Sequence, residues 1–156
     1  WAAMNFPKMQ IPTPESIVKS DLKSLAGKTE IWLENQRPAL PPPAIQIVNG
    51  IGVQLDMLSP QLQKLREGDA AAYDVRKLVG EHLPELINGY KAIPPSMRGK
   101  ANDSGKSPDE QLIGGLSLIE KEISGVTQQI AKGDIDNLSI RGRYLELKYD
   151  KSAEAE

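Results

Sequence analysis

Apolar residues recur along this chain at intervals of three and four, the spacing that lines one face of an α-helix. The first such stripe runs through Val18, Leu22, Leu25, Trp32 and Gln36, with Ile17, Ile31 and Leu33 beside it. Thr13-Pro14-Glu15 supplies its start: a Thr N-cap, a Pro at the first helical position and an acid that complements the dipole. Gly27 weakens the middle and Pro38 ends the segment. A second stripe, beginning near Pro43, passes through Ile45, Val48, Gly52, Leu55, Leu58, Leu62 and Leu65. Its phase continues across Pro60, which predicts a bend inside a helix or two abutting helices rather than a boundary.

Glu67-Gly68-Asp69 reads as a turn whose Asp69 caps a third helix, with Val75, Val79, Leu83, Leu86, Tyr90 and Ile93 on its apolar face. Pro84 lies inside that run. Its ring points at the carbonyl of Gly80, where a glycine leaves room for the backbone to bend. Residues 94–108 carry Pro, Gly, Ser, Asn and Asp and predict a mobile loop. Ser107-Pro108-Asp109-Glu110 then repeats the helix-start chemistry. Leu112, Leu116, Ile119, Ile123, Val126 and Ile130 form the cleanest stripe. Gly133 predicts a stop, and Asp134 a cap for a last helix bearing Ile135, Leu138, Leu145 and Tyr149.

No persistent alternation of apolar and polar residues suggests a strand. The expectation is an all-α protein: an antiparallel bundle of about five helices, with kinks at prolines, over residues 14–150. Residues 1–13 are expected to form an irregular N-terminal arm, with Trp1, Met4, Phe6, Met9 and Ile11 able to dock on the body, and residues 151–156 a polar tail. Pro41-Pro42-Pro43 reads as a stiff connection between helices, although Pro38 to Pro41 matches a PxxP ligand pattern.

Composition then narrows the chemistry. The 156 residues include no Cys and one His. That removes disulfide frameworks, thiol nucleophiles, cysteine-ligated metals and three-His or HExxH sites within one chain. Nineteen basic against 21 acidic residues give a net charge of −2, so no overall field seeks nucleic acid or anionic lipid. Metal and cofactor are accordingly expected to be none. No run is apolar and long enough to cross a bilayer, so membrane association is expected only through a segment outside this chain, which begins at Trp1. The expected setting is cytoplasmic, tethered to a membrane if such an N-terminal segment exists.

Two strings resemble phosphate loops and fail on spacing. Ser104-Gly105-Lys106-Ser107 needs a glycine at position 100, which is Lys100, and Ala26-Gly27-Lys28-Thr29 needs one at Leu22. His82, beside Glu81 and two residues before Pro84, is a candidate general base or pH-sensitive contact. No nucleophile or second acid accompanies it at a defined spacing. Glu120 and Glu122 flank the fourth stripe and read as a solvated face. Arg98, Lys100 and Lys106 concentrate positive charge in the loop, and Arg141 with Arg143 forms a second basic pair. Without interleaved aromatics neither suggests base stacking. Asn102-Asp103-Ser104 and Asn137-Leu138-Ser139 match the glycosylation sequon, which has meaning only in a secretory setting.

His82-Leu83-Pro84-Glu85-Leu86, with Tyr90 and Ile93-Pro94, followed after the loop by Gly133-Asp134, Leu138 and Arg143-Tyr144-Leu145, resembles a pattern of uncharacterised bacterial helical domains. It is also distantly similar to the bromo-chloroindolyl phosphate hydrolysis protein family. The resemblance covers about residues 60–150. It implies a helical, often membrane-associated bacterial module, and the family name implies phosphate-ester hydrolysis, but it carries over no catalytic residue. The reading from the residues is a non-catalytic interaction or scaffold module with a protein partner or a second copy. Its surface is expected at a groove by the third helix (Glu81, His82, Pro84, Tyr90, with Arg98 nearby) or at the N-terminal arm. A small-ligand or hydrolytic pocket near His82 and a membrane-peripheral domain are the alternatives.

Overall fold

A computed structural model describes residues 10–154, with side chains through residue 150. The apolar arm residues Trp1, Met4, Phe6 and Met9 lie outside the described residues. The order is α1 (Pro14–Lys19), α2 (Leu22–Gln36), α3 (Pro42–Leu62), α4 (Ala70–Lys77), α5 (Leu83–Lys91) and α6 (Pro108–Glu154). A π-helical turn, Leu78–His82, joins α4 to α5, and short 3₁₀ turns follow α2 and α5. The protein is all-α, with no strand among the described residues.

The expected first helix is two. Thr13 and Ser16 form a reciprocal capping box that starts α1. At Ser20 the backbone turns extended, and its hydroxyl donates to the carbonyl of Ile17 at 2.7 Å. Asp21 is extended as well and opens α2. Such local side-chain bonds compete with helix continuation. The break is sealed from across the chain: Arg76 Nη1 donates to the carbonyls of Val18 (2.8 Å) and Ser20 (2.5 Å). It turns the helix face too, so Ile17 and Leu33 are in the core while Val18 is half-buried.

Pro60 sits inside α3, which ends two residues later. Pro84 is accommodated differently from the expectation. The wide turn Leu78–His82 precedes it, and Leu83 N–H bonds to Leu78 O, five residues back. Gly80 has another reason to be a glycine: a Cβ there would lie 2.3 Å from Val18 Cγ2, so Gly80 admits α1 against the turn.

The core joins α1–α6 through Ile17, Leu25, Ile51, Leu55, Leu58, Leu62, Val75, Leu83, Ile87, Leu112, Leu116 and Ile123, all fully buried. Chain neighbours α2 and α3 pack together, as do α5 and α6. The most extensive packing is between α3 and α6. These two run parallel: Glu120 lies over Gly50, and Lys64 pairs with Asp134, each 70 residues on in the chain. The connection over residues 94–107 is held by Arg98, whose Nε donates to Ile93 O at 2.9 Å and whose carbonyl accepts from Asp109 N–H at 3.0 Å.

The largest correction is at Gly133. No stop occurs there, and the fourth and fifth expected helices are one 47-residue α6, about 70 Å long at 1.5 Å per residue. A helical glycine costs only about 1 kcal/mol, and no proline follows it to force an end.

Candidate interaction surfaces

α6 outlasts the bundle. Its face is buried at Leu112, Leu116, Ile119 and Ile123, and half-buried at Val126 and Ile130. Beyond Ala131 the side chains through residue 150 are exposed, Gly142 alone being half-buried. The exposed residues include Ile135, Leu138 (72 % exposed), Ile140 (68 %), Tyr144, Leu145, Leu147 and Tyr149. Ile135, Leu138, Gly142, Leu145 and Tyr149 step by three, four, three and four, the heptad seam of a helix that meets another helix. Ile140, Tyr144 and Leu147 lie on the opposite side. The sequence marked Ile135, Leu138, Leu145 and Tyr149 as a helix face for the core. The structure gives them no core: α3 ends at Leu62, and Lys64, just beyond it, pairs with Asp134, ahead of the first of them.

His82 and Glu81 are exposed at the end of the π turn. His82 lines a groove of about 610 Å³ between α4, the π turn and α6, with Asp74, Lys77, Leu78, Lys121, Glu122, Gly125, Val126 and Gln129. Its walls thus carry both charge signs. Pi-helical turns recur at functional sites, and this one presents the single imidazole of the chain to that groove. Glu122, expected on a plain solvated face, is part of the lining; the sequence had no means of placing Asp74, Lys77 and Lys121 beside His82, because helix α6 returns only after the loop.

Tyr90 and Arg98 belong elsewhere. Tyr90 is 7 % exposed and donates to Asp109 Oδ1 at 2.7 Å, with the Arg98 guanidinium 4.7 Å from its ring centre. Burial raises the pKa of its hydroxyl. The hydrogen bond to Asp109 and the charge of that group raise it further, and Arg98 opposes them. Pro84 is buried. The groove expected to join His82, Pro84 and Tyr90 is therefore divided: Tyr90 lines a separate pocket of about 220 Å³ with Leu86, Ile93, Pro108 and Leu112. The Tyr90–Asp109–Arg98 set ties α5 to the first turn of α6, a structural task.

A third hollow, about 240 Å³ between α2 and α3, holds Glu30, Glu34, Asn49 and Asp56. Glu30 is pushed up to about 7, first by burial, then by its hydrogen bond with Asp56 and by that group's charge. No group of three or more His, Cys, Asp or Glu suited to a metal ion occurs among the described residues. No described helix is long and apolar enough to cross a membrane.

No protein-family model, curated protein or solved structure matches this chain.

Proposed function

We propose that this chain is a helical interaction module: the bundle holds α6 at its base, and the free end of α6 meets a protein partner. The observation that supports this most is the row of exposed apolar side chains on residues 135–149 of one helix. Isolated exposed apolar residues are ordinary, but contiguous ones at heptad spacing mark contact surfaces. Catalysis plays no part in this reading, since the residues beside His82 supply no nucleophile. The test is association of the full chain with protein, compared between wild type and Leu138→Glu, with far-ultraviolet circular dichroism to verify the helices. Loss of association in the variant is expected. Association that survives both Leu138→Glu and Leu145→Glu overturns the reading.

The His82 groove supports a second reading, a small-ligand or hydrolytic site, because it gathers an imidazole, two acids and two lysines. Hydrolysis of a chromogenic phosphomonoester that disappears in His82→Ala and persists in Leu138→Glu would favour it over the first.

A further inference from the structure

We propose that the free end of α6 pairs antiparallel with the same segment of a second copy of this chain, with the two-fold axis beside residue 140. This rests on the reading of that segment as the interaction surface and names its occupant.

The seam residues decide the direction. In an antiparallel pair centred at residue 140, Ile135 faces Leu145 of the second copy, and Leu138 faces Gly142 of the second copy. The large side chain thus lies over the space the glycine leaves. Tyr149 falls on Ala131 in the same register. A parallel pair in register places Gly142 on Gly142 and leaves a void at the middle layer, which close-packed interfaces avoid. The flanking charges agree. Antiparallel pairing at this register sets Asp134 beside Lys148 and Lys132 beside Glu146, each twice by symmetry, against one Arg141–Arg141 contact at the axis. Sliding by one heptad toward the C-terminus instead sets Arg141 against Lys148 twice, and sliding toward the N-terminus pairs Leu145 with position 128, in the stretch of α6 already packed in the bundle. The parallel pair offers only Arg141 to Glu146, at the usual g-to-e spacing. Asp134 already bonds Lys64 of its own bundle, so its carboxylate would bridge Lys64 and the second copy. The antiparallel arrangement also sends the two bundles to opposite ends of the paired helices. Ile140, Tyr144 and Leu147 face away from this seam.

The experiment uses the full chain. Sedimentation equilibrium should show a dimer that dissociates on dilution. Leu138→Glu should raise its dissociation constant about tenfold or more, since a seam position then buries a charge, while Leu147→Glu leaves it unchanged. Glu146→Lys should weaken the dimer, and Lys132→Glu combined with Glu146→Lys should restore it. Because the chain has no cysteine, single thiols can report direction. Arg141→Cys sits at the axis and should be joined between copies by a short bis-maleimide. Two Tyr149→Cys thiols lie about 27 Å apart along the helices and should not be. Efficient joining at position 149 without joining at 141 overturns the antiparallel arrangement. A chain that is monomeric at all concentrations overturns the pairing itself. The interaction-module reading then fails only if Leu138→Glu also leaves binding to other proteins unchanged.

Discussion

Gly80→Ala offers a sharp test of how α1 docks. Helix propensity alone favours the substitution by about 1 kcal/mol, because glycine is the more costly residue in a helix interior. The structure says otherwise. The added Cβ would stand 2.3 Å from Val18 Cγ2 and 3.5 Å from the Val18 Cα. Real carbon contacts begin near 3.5 Å, so α1 or the π turn must shift by about 1 Å. Overpacking of this kind costs about 1–3 kcal/mol, and after the propensity gain the net loss is up to about 2 kcal/mol. With a urea slope of about 2 kcal/mol/M, the midpoint of unfolding should fall by up to about 1 M. Val18→Ala removes the obstructing Cγ2, so Gly80→Ala should cost less in that background, giving a favourable coupling in a double-mutant cycle. Gly114→Ala is the control: no atom lies within 4 Å of its added Cβ, and it should stabilise by about 0.5–1 kcal/mol. If Gly80→Ala stabilises the chain as Gly114→Ala does, the close approach of α1 to the turn is refuted.

Glu30 gives a pH dependence of defined sign. Its folded pKa, about 7, lies above the ordinary value of 4.5, so the folded state holds the extra proton. Its contribution is present in full below pH 4.5 and is lost as pH rises through 7. Glu30→Gln should therefore stabilise the fold at pH 8, by about 1 kcal/mol once solvent screening in the open groove is allowed for, and change little at pH 5; chemical unfolding at the two pH values reads this. Tyr90→Phe breaks the bond to Asp109 and should cost about 0.5–1.5 kcal/mol in thermal or urea unfolding. Ser107→Ala removes the oxygen that accepts from Glu110 N–H at 3.1 Å and should cost about 1 kcal/mol in the same assay.

Helix starts were the most legible features of this sequence. Thr13 and Ser107 stand one residue before a helix and cap it with their hydroxyls; Asp69 stands at the same position before α4, but its carboxylate accepts from Arg66 N–H at 2.8 Å rather than capping the helix. The apolar periodicity placed Leu55, Leu58, Leu83 and Leu116 in the core correctly. Breaks were harder. The stop at Ser20 is local hydrogen bonding sealed by Arg76, 56 residues on in the chain, and no local pattern reveals that partner. Gly133 carries the chemistry of a stop, yet the decision belongs to its neighbours, which all remain helical. The candidate site was partly legible. His82 does line a groove, but Tyr90 and Arg98, although close in sequence, are spent on the α5–α6 junction. The exposed seam of α6 was read as a core face because periodicity identifies an apolar face without identifying what covers it.

Amide hydrogen exchange on α6, measured across a range of protein concentrations, tests the central claim most directly. Residues 112–130 are packed in the bundle and should show the same strong protection at every concentration. Residues 132–150 have exposed side chains and should exchange quickly when the chain is dilute, then gain protection as a second copy covers the seam. Protection of residues 132–150 that does not change with concentration would contradict the account.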